Sequence, residues 1–301
     1  MKRIIFAAAV VLAFSAQAAA EEPQPVDVAA ISRPQTSSAT QSNPAIQTYS
    51  LRYKLRAGEE FRTRVSQLAT IETTISGTTQ TSQMISLSTK CWRIKSIDAS
   101  GNITFEHSVE SVDMRNEMSG RQEVHYNSQT DKKPPPGYED VARSLGTTLS
   151  VVTIDPSGKI VSREQKRTPA IDASGSVLVM PLPKEPATIG TAWFLPSDVS
   201  VPLEDGEVKT IKTRQRYELE DVKDGVATIG VETQILTPVS NPKIRAQLIQ
   251  RMWKGHIRFD IDAGRMISQR TDLDERVLSF SGPDSSMHYV ARFTEKALPA
   301  K

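Results

Sequence analysis

Leu51-Arg52-Tyr53-Lys54-Leu55-Arg56, followed past Ala57-Gly58-Glu59-Glu60 by Phe61-Arg62-Thr63-Arg64-Val65, sets the fold class. Leu51, Tyr53 and Leu55 alternate with Arg52, Lys54 and Arg56, and Phe61, Thr63 and Val65 alternate with Arg62 and Arg64. Successive side chains of a strand point to opposite faces, so a period of two describes a strand buried on one face and wet on the other. The scheme returns at Ile103, Phe105, His107 and Val109, set against Thr104, Glu106 and Ser108. It returns again in Tyr217, Leu219 and Val222, and in the Val-, Ile- and Thr-rich run 226–237.

Turn chemistry agrees with the strands. Asp98-Ala99-Ser100-Gly101-Asn102, Asp155-Pro156-Ser157-Gly158-Lys159, Lys223-Asp224-Gly225 and Asp262-Ala263-Gly264-Arg265 each separate two such runs. Asp bonds to backbone two residues on, and Gly supplies the positive φ that closes a hairpin. The arms from Met84 to Ile97 and from Val208 to Val222 exceed the usual five or six residues of a strand. Long antiparallel arms predict either a curved sheet or an open barrel. Helix signals are few. Asn241-Pro242 reads as a cap and first-turn proline, with Ile244, Leu248 and Met252 at helical spacing, and a shorter helix is predicted over Tyr138 to Leu145, ending at Gly146.

The landmarks recur in order. Ala57-Gly58-Glu59-Glu60-Phe61 matches Ile189-Gly190-Thr191-Ala192-Trp193. Trp92-Arg93-Ile94, a turn and Ile103-Thr104-Phe105 match Tyr217-Glu218-Leu219, a turn and Ala227-Thr228-Ile229. Gly158-Lys159-Ile160-Val161-Ser162 matches Gly264-Arg265-Met266-Ile267-Ser268. Two pseudo-repeated β-rich halves are therefore expected. The expected organisation is a signal peptide at 1–20, a disordered linker at 21–48, a first half at 49–167, a connector at 168–177 and a second half at 178–301.

Leu51-Arg52-Tyr53-Lys54-Leu55 with Gly58, Asp155 to Ile160, Leu182-Pro183-Lys184-Glu185-Pro186 leading into Ile189 to Trp193, and Tyr217 to Ile229 together resemble a family of exported bacterial β-rich proteins classified as a domain of unknown function. The resemblance spans the chain from about residue 49. It implies export and a β fold, and no activity, ligand or catalytic residue.

Lys2 and Arg3, the apolar run from Ile4 to Phe14 and the small residues 16–20 have the layout of a secretory signal peptide cut after Ala18 or Ala20. The expected compartment is the periplasm or the cell exterior, and no transmembrane segment is expected in the mature chain. Residues 21–48, rich in Pro, Gln, Ser, Thr and Ala, cannot bury enough surface to offset their ordering entropy. The +2 net charge resides in Lys2 and Arg3, so the mature chain is formally neutral, which argues against nucleic acid as a partner. Cys91 is the only cysteine, which excludes an internal disulfide and leaves a small buried hydrophobe as the plain reading.

The sequence carries no catalytic, cofactor-binding or metal-ligating motif. His107, His125, His256 and His288 lack metal-ligand spacing. His107, on the apolar face of its strand, reads as a hydrogen-bonded core histidine, with a ligand or acid–base role as the sharper alternative. Asp260, Asp262 and Gly264 resemble part of a calcium loop, but Gly264 and Thr271 stand where ligands are needed, so a hairpin turn explains them better. Asp272, Asp274 and Glu275 form an acidic strip, and nucleophile elbows, phosphate loops and dinucleotide fingerprints are absent. Arg52, Lys54, Arg56, Arg62 and Arg64, with Lys209, Lys212, Arg214 and Arg216, read either as solvated sheet faces or as a basic patch. The leading expectation is a non-catalytic protein binding a hydrophobic or lipid-like ligand on a curved sheet, with an envelope-associated structural or protein-interaction module as the alternative and no cofactor in either.

Overall fold

The one-sided runs pair as antiparallel strands. In a computed structural model that describes residues 47–167, 179–203 and 206–299, the first half contributes β1 (Glu60–Ile75), β2 (Thr78–Ile97), β3 (Ile103–Met118), β4 (Val124–Asn127), helix α1 (Glu139–Ser144), β5 (Thr148–Ile154) and β6 (Ile160–Gln165). The second contributes β7 (Ala192–Pro202), β8 (Val208–Lys223), β9 (Val226–Ile235), helix α2 (Pro242–Leu248), β10 (Lys254–Asp260), β11 (Arg265–Leu278) and β12 (Ser286–Ala297). The expected signal peptide, the linker up to residue 46 and the connector lie outside the described residues. Both predicted helices form. Asn241 caps α2 by accepting from the Lys243 N–H at 2.8 Å, and a short 3₁₀ turn (Ile249–Arg251) extends it.

All twelve strands join one sheet in the order β6-β5-β3-β2-β1-β12-β11-β10-β9-β8-β7, with β4 added on β3. The order β6-β5-β3-β2-β1 of the first half repeats as β11-β10-β9-β8-β7 in the second, and β12 lies between them. Register makes the duplication concrete. Phe61 faces Trp92 and Trp92 faces His107, just as Trp193 faces Tyr217 and Tyr217 faces Val231. A bulge follows Ile94 in one hairpin and Leu219 in the other, and a second matched pair falls at Thr153/Ile154 and Arg258/Phe259.

The opening run departs from expectation. Residues 51–56 belong to no strand, although their side chains still alternate. They form a strap across the concave face: Tyr53 N–H donates to Pro156 O at 2.9 Å, and Lys54 N–H to Gly264 O at 3.0 Å. Pro156 lies in the β5–β6 turn and Gly264 in the β10–β11 turn, six strand steps apart from β6 to β11. A flat sheet would separate them by about 29 Å. Consecutive strap residues bond to both, so the sheet rolls strongly. It does not close, because β6 and β7 remain edges.

The strap fills the second half. Leu51, fully buried, packs with Met180, Leu182, Tyr217, Leu219, Ile229 and Phe259. Tyr53 and Leu55 lie over the first half's cluster of Ile94, Ile103, Phe105, Val152 and Ile154. Each half also carries its own helix over one end: α1 supplies Val141 to a cluster with Met114 and Tyr126, and α2 supplies Ile244 and Leu248 to one with Val199 and Ile211. Among the described residues no helix is long and apolar enough to cross a membrane.

Candidate ligand-binding site

The two halves share a backbone plan and differ in what their concave faces bury. In the second half the row Trp193–Tyr217–Val231–Gly255 runs across β7, β8, β9 and β10. Its polar atoms are satisfied: Trp193 Nε1–H donates to Pro181 O at 2.8 Å, and the Tyr217 hydroxyl donates to Gln215 Oε1 at 2.6 Å. At Gly255 a Cβ would stand 2.0 Å from Arg270 O, so no side chain fits.

The matching row of the first half is Phe61–Trp92–His107–Ser150, across β1, β2, β3 and β5. Here Trp92 Nε1, His107 Nε2 and Ser150 Oγ are buried with no hydrogen-bond partner among the described residues, as is Thr271 Oγ1 on β11. The expected hydrogen bond for Nε2 of a core His107 is therefore absent. Unpaired buried groups cost about 1–3 kcal/mol each, so this row is held against a penalty that its twin avoids. Two bulges found only in this half, at Thr89/Lys90 and His107/Ser108, flank the same residues. Bulges of this kind gather beside functional sites, where they re-aim side chains.

Beside the row lies a buried charge pair. Lys90 Nζ stands 3.8 Å from Glu295 Oε2, with side-chain exposures of 9% and 3%. Thr63 Oγ1 donates to Glu295 Oε1 at 2.7 Å, and Lys90 Nζ lies 5.8 Å from the centre of the Phe293 ring. A cavity of about 50 Å³ opens between the strap and the sheet. Its walls are Tyr53, Leu55, Phe61, Trp92, Phe105 and Met266, with Gln269 and Glu295 as inner polar groups and Arg265 at the half-exposed rim.

Burial pushes the His107 imidazole down to about 3, helped by the nearby charges of Lys90 and Arg163. The sign of the pH effect follows from this. The unfolded chain binds a proton near pH 6.5 and the folded chain does not until about pH 3, so stability is full above 6.5 and falls as pH drops through that window. At pH 5 the loss is about 2 kcal/mol, and His107→Gln removes that part of the slope in denaturant titrations across pH.

The other sequence candidates disperse. His125 pairs with Asp113 at 2.7 Å, His256 with Glu220 at 3.2 Å and His288 with Asp274 at 2.7 Å, all on exposed ground. Asp260 serves a turn by accepting from Ala263 N–H. Asp272 is held between Arg270 and Arg292, and Glu275 is exposed. Among the described residues no group of three or more His, Cys, Asp or Glu could hold a metal. Cys91 faces away from the cavity beside Arg62, and burial raises its thiol above the usual range.

No single basic patch forms. Arg52 and Lys54 donate to backbone carbonyls of Pro183 and Ile261, Arg62 pairs with Glu60 and Glu110, and Arg214 donates to Gln234. Arg62 and Arg64 on β1 are separated by four strands from Lys209, Lys212, Arg214 and Arg216 on β8, while Arg52, Lys54 and Arg56 lie on the strap. Sequence reading missed Thr63, Lys90, Ser150, Gln269 and Glu295. A signal existed for Lys90, which shares the parity of Trp92 and Ile94, and for Glu295, two residues from the core Phe293.

No family model matches the chain, and no curated protein matches its sequence. Among solved structures, the chain is similar to lipovitellin in a study of its lipid–protein interactions, at 11% identity and TM-score 0.46, over 82% of this chain and 26% of that one. The chain thus spans about a quarter of lipovitellin's length. A second likeness is to DynF from the dynemicin biosynthesis pathway of Micromonospora chersina, at 10% identity and TM-score 0.22, over 88% of this chain and 92% of that one. At those scores neither likeness bears on function.

Proposed function

We propose that the protein is exported and, without catalysing a reaction, carries a hydrophobic or lipid-like ligand on the concave face of its sheet. The observation that carries this reading is the aromatic-walled cavity between the strap and the inner face of β1, β2, β3, β11 and β12, set against the face of β8 to β10, which Leu51 and Leu182 pack. Apolar walls with a few convergent polar groups are the usual form of a small-molecule site. The cavity's 50 Å³ is a third of the roughly 150 Å³ that admits benzene, so it takes one end of a ligand, with Arg265 marking the way out. Export rests on the charged, apolar and small-residue order of positions 2–20.

Native mass spectrometry of protein purified from a bacterial periplasm tests the reading. The expected spectrum shows a chain starting after Ala18 or Ala20, with a defined mass excess that organic-solvent extraction removes. A clean mass before extraction, together with no uptake of a long-chain probe afterwards, would overturn it.

A further inference from the structure

We propose that the row Trp92–His107–Ser150 is the polar end of this site and receives a carboxylate, so that the ligand is an amphipathic carboxylic acid whose apolar body lies against Phe105 and the cavity walls. The inference rests on the carrier reading and names its ligand class. Its first support is the comparison within the molecule. Two halves with the same hairpin register differ at this row, where Val231 and Gly255 in one are His107 and Ser150 in the other. Only the first half leaves polar atoms of that row unpaired and adds bulges beside them.

Its second support is the chemistry of the unpaired atoms. The Trp92 indole nitrogen can only donate, the Ser150 hydroxyl can donate, and a neutral imidazole donates in its Nε2–H tautomer. One obligate donor and two groups that can each present a donor are satisfied together by an acceptor-rich group. Two cationic side chains, Lys90 and Arg163, lie near His107, and although Lys90 is shared with Glu295 at 3.8 Å, no carboxylate among the described residues bears on the imidazole. Trp92 belongs to both the row and the cavity wall, with its ring 4.6 Å from that of Phe105 and 5.8 Å from that of His107. Trp92 is therefore the residue through which the cavity adjoins the row.

The experiment uses the full mature chain stripped of bound material, titrated calorimetrically with decanoic acid and with methyl decanoate. The acid should bind about tenfold more tightly, the weight of one charge-assisted bond in a buried site. Ser150→Ala should weaken the acid about fivefold to tenfold and leave the ester within about twofold, whereas Trp92→Phe, which also reshapes the cavity wall, should weaken the acid more than the ester. The thermal midpoint of Ser150→Ala should not fall, because no described bond is lost. Equal affinity for acid and ester, or variants that weaken both alike, would overturn the carboxylate assignment and leave the carrier reading in place. Failure of both probes to bind would overturn the two together.

Discussion

Replacing either buried charge of the Lys90–Glu295 pair destabilises the protein by about 3–5 kcal/mol, because the partner stays desolvated without its counter-charge. Glu295→Gln keeps an acceptor for Thr63 and removes only the charge facing Lys90, while Lys90→Met keeps the stem and leaves Glu295 buried among Phe293, Gln269 and the cavity wall. The double variant, with neither charge, recovers most of that loss, since a buried pair is often no better than a neutral replacement of similar volume. Urea unfolding of the four proteins at one pH measures the cycle. Single variants within about 0.5 kcal/mol of the parent would mean that water reaches the pair and that the concave face is wetter than its geometry indicates.

The second large effect concerns the strap. Gly158 and Gly264 occupy the same place in the two halves, and both lie under residues 51–56 in left-handed conformations, at φ +80° and +60°. A Cβ on Gly158 would stand 2.6 Å from Met180 O and from Tyr53 Cε2, and one on Gly264 would stand 2.5 Å from the Lys54 backbone nitrogen. Gly158→Ala and Gly264→Ala each lower stability by about 3 kcal/mol, combining the left-handed penalty with overpacking against backbone. Gly77→Ala is the control. Its φ is +77° but nothing lies within 4 Å of the added methyl, so only the conformational part, about 1 kcal/mol, is lost. Chemical denaturation gives the ordering. Equal costs at all three positions would show that the strap yields without resistance.

These glycines show how much the sequence carries and where it stops. The match of Gly158-Lys159-Ile160 with Gly264-Arg265-Met266 is visible in the chain, and a hairpin turn explains each glycine locally. The common reason, that a single strap passes over both turns, involves residues about a hundred and more than two hundred positions away from the strap. Leu51 to Arg56 illustrates the reverse error. Its alternation is real in burial, but a strand requires a neighbour to complete its ladder, and this segment finds turns and carbonyls instead.

The site was the least legible part. His107 stood out because a histidine on an apolar strand face is uncommon. Lys90 and Glu295 looked like ordinary charged residues of strands, since nothing local states that Thr63 and Glu295, 232 positions apart, share a hydrogen bond. The bulges that separate the first half from the second are likewise properties of pairing. They depend on which residue of a neighbouring strand is skipped, which no single strand records.

By itself the sequence determined the antiparallel β class, the turns, both helices and the duplication, because alternation, capping and glycine preference act over a few residues. Only the tertiary structure decided that β12 closes the gap between the halves, that the strap packs against β8 to β10 and leaves a cavity over β1, β2, β3, β11 and β12, and that Trp92, His107 and Ser150 meet in one row. Those outcomes depend on long-range register and on burial shared between distant strands, and such interactions exist only once the sheet has rolled.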